Sequence, residues 1–276
     1  MARSAFPRIR TRALDAHARA RSRARIRVVA VTGVVVALVA AASACASAGD
    51  DKDPEHRSFD LRGRTLTVDS NESGLDIVAT DSDKAGRIEV TRWFQGSVAL
   101  GKDPKVTWAM KDDRLKLRVK CSGVVADCAA KHRIEVPRGV SVIVRNGDGK
   151  VTARGFDQAL DIRSEDGSVT VQDSTGPLKL HTDDGSIRAL GVRSQQVRAH
   201  SEDGSVRLEL AAAPDLVESS SDDGSLTIEL PRDTYRVTAD SDDGSVKVSV
   251  PRTERSAHVV SAKTQDGSIR VRFAGE

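Results

Sequence analysis

The sequence predicts an all-β fold: a parallel β-solenoid of about seven two-strand coils behind an N-terminal β cap. Three observations lead there. A six-residue phrase, hydroxyl–acid–Asp–Gly–Ser–aliphatic, recurs from Ser164, Thr182, Ser201, Ser221, Ser241 and Thr264, with a degenerate first copy at Asn146–Val151. Its glycines are 18 to 23 residues apart, and a fixed period near twenty marks a repeat architecture. Between the phrases apolar and polar residues alternate, the period-2 signature of strands with one buried face. Finally, only 3% of the 276 residues are aromatic, which suits a thin core of Val, Leu and Ile between sheets.

The N-terminus comes first in the chain and is set apart by charge. Residues 1–44 carry nine arginines against Asp15, a balance of +8; with +3 for the whole chain, residues 45–276 hold −5. A mildly acidic folded part speaks against nucleic acid as its ligand, because such a face needs a basic patch. The arginines lead into fifteen uncharged residues, Val28–Ala42, the order of a secretory signal. That run is short of the twenty or so residues of a membrane-spanning helix. Residues 1–44 are therefore expected to be a targeting segment. Ala42–Ser43–Ala44–Cys45 resembles the lipobox of bacterial lipoproteins, with Ala42 in place of the usual Leu. The resemblance implies cleavage before Cys45 and a lipid on its thiol; plain secretion or an uncleaved helix are the alternatives. Residues 45–57, small, polar and Pro-containing, read as a tether.

Residues 58–136 alternate like strands but are not in the repeat's register, and they hold Trp93, Phe94 and Trp108. Repeat stacks need atypical ends, so this region is expected to cap the stack. Cys121 and Cys128, seven apart in an exported chain, are expected to form a disulfide. A metal pair assisted by His132 is the rival reading.

From 137 to 276 the register is strict. With each turn glycine as zero, positions −7, −5, +2 and +4 are apolar or small, as in Leu178, Leu180, Ile187 and Ala189. The positions between them are polar. Position −3 is always Asn, Ser or Thr, whose side chain can bond the turn's backbone N–H groups. Asp–Gly then makes the turn, the glycine being assigned a positive φ. Alternation alone fits an antiparallel stack of hairpins equally well. Seven near-identical units favour parallel coils, stacked into a rod of about 30–35 Å.

The turns, with Ile134–Val140 before them, resemble the bacterial putative-adhesin family of β-strand-repeat proteins over roughly residues 60–274. The resemblance implies a β-solenoid-like, cell-surface, non-enzymatic protein.

Stacked turns would align Glu165, Asp166, Asp183, Asp184, Glu202, Asp203, Asp222, Asp223, Asp242 and Asp243, with Asp148 and Asp266, along one edge. Asp at −1 serves the turn, whereas the acid at −2 is not needed for it. Such a ridge reads first as structural; calcium, with six to eight oxygen ligands, is the cation it would take. His181 and His200 share position −4 in consecutive units and would sit side by side without a third ligand in that row. No nucleophile–base motif, H-E-x-x-H or phosphate loop is present, so no catalytic residue and no cofactor is expected. The expected function is an exported, lipid-anchored binding or structural module facing a cell-wall polymer or envelope protein. The alternative is the extracytoplasmic part of an envelope-stress system; a polysaccharide-active β-helix enzyme ranks last.

Overall fold

The computed structural model describes residues 48–81 and 86–276. The leader and Cys45 lie outside them. After a 3-10 turn at Ala48–Asp50 come β1 (Glu55–Asp60), β2 (Thr65–Ser70), β3 (Ser73–Thr80), and the long β4 (Arg87–Lys111) and β5 (Arg114–Pro137). Seven strand pairs follow, one per repeat. They are β6/β7 (Ser141–Asn146, Val151–Arg154), β8/β9 (Leu160–Ser164, Val169–Gln172), β10/β11 (Leu178–Thr182, Ile187–Val192) and β12/β13 (Gln196–Ser201, Val206–Leu210). Beyond them lie β14/β15 (Leu216–Ser221, Leu226–Leu230), β16/β17 (Arg236–Ser241, Val246–Val248) and β18/β19 (Val259–Thr264, Ile269–Phe273).

The first strands of the pairs stack in parallel as one ladder, and the second strands as another. The parallel solenoid is thereby shown, and the antiparallel hairpin stack is ruled out for the repeats. Positions −7, −5, +2 and +4 point between the ladders. Leu160, Ile162, Val169 and Val171 are no more than 1% exposed, and one continuous core runs through the stack. Each fully buried side chain of this size contributes about 1.5–3 kcal/mol over leaving it in water.

Coil order departs from chain order at the C-terminal end. β18 pairs with both β14 and β16, and β19 with both β15 and β17, so the last coil is inserted before its predecessor. The stack therefore ends on β16/β17.

The expected cap over 58–136 divides in two. β2 and β3 form an eighth coil, paired in parallel with β6 and β7. Asn71 takes the corner: its side chain bonds both N–H and C=O of Val119 at 2.9 Å, standing in for a strand's backbone. The cap proper is β5, parallel to β2 and β3, covered in turn by antiparallel β4. β1 pairs antiparallel with β4 from Glu55, so the expected tether over 45–57 is shorter than its composition indicates.

Between its two solenoid contacts the β4–β5 ribbon folds outward as a flap. Cys121 and Cys128 are bonded, with Cα atoms 6.2 Å apart, where an extended chain of seven residues would span about 24 Å. The disulfide reading holds. The flap's tip exposes Leu100 (84%), Val124 (78%) and Val125 (63%). Cutting the crosslink by Cys121→Ser with Cys128→Ser is expected to cost about 2 kcal/mol in denaturant melts. Limited proteolysis of that variant should give its first new nick between residues 121 and 128.

Turn geometry corrects one expectation. Among the repeat glycines only Gly149 has a positive φ (+102°). The others are required by stacking. A Cβ on Gly185 would lie 2.4 Å from the Gly167 carbonyl oxygen, and one on Gly204 2.0 Å from that of Gly185. The turn backbones pass hydrogen bonds from coil to coil: Asp184 donates to Glu165, Asp203 to Asp183 and Asp223 to Glu202, at 3.0–3.1 Å. The position −3 hydroxyls run the same way. Thr182, Ser201, Ser221 and Thr264, all buried, donate to the glycine carbonyl of the preceding coil at 2.8–3.1 Å. Thr182 and Ser201 also accept from their own turn's glycine N–H, as expected.

Candidate binding face

The turn backbones carry the −2 and −1 acids as a ridge, as expected from stacking. Because the last two coils exchange places, the neutral Gln265 falls between Asp222 and Asp242 and interrupts the −2 row. Alternation turns positions −6 and −4 of the first ladder outward beside this ridge. Row −4 reads Arg145, Arg163, His181, His200, Ser220, Lys263 and Asp240 in spatial order. It places a basic stripe against the acidic one.

Where the rows meet, the charges engage. His181 Nε2 bonds Asp183 Oδ1 at 2.8 Å, and Arg163 approaches the same oxygen at 3.7 Å. The His181 and His200 rings stack, with centroids 5.1 Å apart. His200 Nδ1 bonds Ser220 Oγ at 2.8 Å. The side-by-side histidines are thus as expected, but their neighbours come from row −2. Donor atoms of His181, Asp183 and Glu202 lie within 4.8 Å of one another, the set among the described residues that could hold a divalent ion. One imidazole with two carboxylates suits zinc better than calcium, which favours an all-oxygen shell. Arg163 already answers Asp183 in that set.

Around the histidines lies an open groove of about 420 Å³, bordered by Lys179, Arg198, Glu218, Ser220, Ser261 and Lys263. Arg198 is paired with Glu218. Lys179 is 3.9 Å from Asp161, and Lys263 has no ion-pair partner among the described residues. The groove offers the cations Lys179, Arg198 and Lys263, two imidazoles and the hydroxyls of Ser220 and Ser261 along four adjacent coils. On the opposite ladder Glu229, 4% exposed, is internally satisfied, held by Arg207 at 3.0 Å and by Arg272.

The family model described as Toastrack DUF4097 matches residues 46–275, most of the chain. The chain belongs to this family. No curated protein matches it. Three solved structures align with 80% of this Toastrack chain. One is a "putative adhesin" from Parabacteroides merdae (11% identity, 96% of that chain, TM-score 0.40). Another, from Bacteroides fragilis, has the same description (13%, 98%, 0.37). The third is a "putative cell adhesion protein" from Clostridium sporogenes (11%, 100%, 0.34). With TM-scores this low, the fold rests on the strand pairing itself.

Ser220, Lys179, Arg198 and Lys263 of the Toastrack face had no signal of their own in the sequence. Each is one polar residue among many at outward positions, and only the −6 and −4 registers of four coils, read together, would have gathered them. The rival metal reading for the cysteine pair fails on the disulfide. His132 is buried beneath Trp108, ring centroids 6.3 Å apart, and takes no part in that bond.

Proposed function

We propose that this chain is an exported, non-catalytic binding module, anchored by a lipid on Cys45, that presents the first ladder's outer face to an extended anionic cell-wall polymer. The observation that carries the reading is the groove over His181, His200 and Ser220, with Lys179 and Lys263 at its border. Repeat stacks offer such surfaces at the spacing of the coils, matching a ligand that itself repeats. A non-catalytic role fits the His200–Ser220 pair: among the described residues no carboxylate bonds His200 to orient it as a base.

The anchor rests on the lipobox-like Ala42–Ser43–Ala44–Cys45, shortly before the folded chain begins. The Asp51 carboxylate accepts the Phe94 N–H at 2.9 Å, fixing the start of the folded chain to the root of the flap. That bond and a second from the Asp53 N–H hold the Asp51 carboxyl below its ordinary range.

Sedimentation of the full chain with purified cell wall tests the binding reading. Lys179→Ala with Lys263→Ala is expected to weaken binding at least tenfold, and added salt should weaken it further. Unchanged binding by that variant would exclude the groove. For the anchor, Cys45→Ala should leave the membrane pellet for the soluble fraction; retention would count against lipidation.

A further inference from the structure

The end of the stack formed by β16/β17 is open. Inward residues one coil earlier, Val260, Ala262, Ile269 and Val271, are at most 1% exposed. Their counterparts Val237, Ala239 and Val248 are only half-buried, and Val246 is 44% exposed. At the other end β4 covers β5, whereas β16 and β17 each pair on one side only. An exposed strand edge with apolar residues is a template for another strand.

We propose that this end pairs with the same end of a second copy, β16 running antiparallel to its twin about a two-fold axis through Thr238. The sequence of the strand is complementary to its own reverse. With Thr238 opposite Thr238, Arg236 faces Asp240 of the other copy, Val237 faces Ala239, and the relation repeats on the far side of the axis. Neither Arg236 nor Asp240 has an ion-pair partner among the described residues, whereas some outward charges of earlier coils, such as Arg145 and Asp161, are paired with each other.

The corners extend the match. The edge of Tyr235 is occupied by the connecting segment: the Tyr235 N–H donates to the Pro251 carbonyl, and the Tyr235 carbonyl accepts the Thr253 N–H. This leaves Arg236–Ser241 as the free length and sets Arg252 at its start. A two-fold axis through Thr238 carries the acidic turn Asp242–Asp243 of one copy toward Arg252 of the other. The reverse, parallel pairing would set acidic turn on acidic turn. The occupant is therefore a second copy, and the contact is isologous and closed at two.

Light scattering on the full chain in detergent, over a concentration series, tests this. Wild type is expected to dimerise. Arg236→Asp or Asp240→Arg should each raise the dissociation constant at least tenfold, and the two together should restore it, because both salt pairs are rebuilt with reversed sign. Thr238→Cys should crosslink to its twin under mild oxidation, while Arg188→Cys, exposed in mid-stack, should not. A monomer at every concentration, equal crosslinking at both positions, or a double variant no better than the singles would overturn the proposal. All four substituted positions are exposed, and an unchanged β circular-dichroism signal separates loss of pairing from loss of fold.

Discussion

Gly204→Ala is expected to destabilise the stack by about 3 kcal/mol or more, lowering the melting temperature by roughly 6–12 °C. The cause is not conformational preference. Gly204 sits directly over Gly185 and under Gly224, and the added methyl would lie 2.0 Å from the Gly185 carbonyl oxygen and 2.7 Å from Ser201 Oγ. Relief needs the two coils to part, which breaks the Asp203-to-Asp183 bond and the Ser201-to-Gly185 bond. Gly139 is the internal control. It has a φ of +78° and open space around it, so Gly139→Ala should cost only about 1–2 kcal/mol of left-handed strain. A thermal melt that ranks the two variants the other way would return the turn glycine to a conformational role.

That contrast also measures what the sequence disclosed. The position of every corner, the inward registers and the parallel stacking were legible in the period and alternation from Asn146 to Val271. The reason for the glycine was not, because one copy of Asp–Gly looks the same in a hairpin and in a solenoid corner. Only the contact between copies distinguishes them. The exchange of the last two coils was hidden for a related reason. β16/β17 and β18/β19 offer nearly equivalent small apolar sets, Val237, Ala239, Val246, Val248 against Val260, Ala262, Ile269, Val271, so inward pattern cannot order them. The one irregularity, a 23-residue step from Gly244 to Gly267, reflects the connection at 249–258 that must return past its own coil.

At the binding face the sequence supplied the histidine pair and the acidic ridge, but as separate rows. Their meeting at Asp183 depends on side chains two residues apart, His181 near the end of its strand and Asp183 in the turn beyond it, a geometry that neither row contains alone. The flap was less legible still. Val98–Lys102 and Ser122–Ala126 pair with each other instead of with the stack, so their apolar residues serve no periodic core.

The second large effect concerns acid. His132, fully buried in the cap, has no hydrogen-bond partner on either ring nitrogen. Burial pushes its pKa down to about 4, and the Arg92 guanidinium across the ribbon adds to the shift. Arg92 in turn lies 4.6 Å from the Trp108 ring centre and is paired with Glu55, so the cap holds the imidazole neutral among an aromatic ring and a cation. In the unfolded chain the same ring takes its proton near pH 6.5. Between those values the unfolded state binds the extra proton, so this contribution is complete above pH 6.5 and is lost as pH falls toward 4. Its full size is about 3 kcal/mol. His132→Leu should remove the dependence and, by replacing two unpaired buried nitrogens with methyl groups, retain or raise stability at pH 7.5. Urea melts at pH 7.5, 5.5 and 4.5 on both proteins isolate the effect from carboxylate titration, which the two share. Parallel stability curves for wild type and variant would show that His132 meets its proton as readily in the fold as outside it.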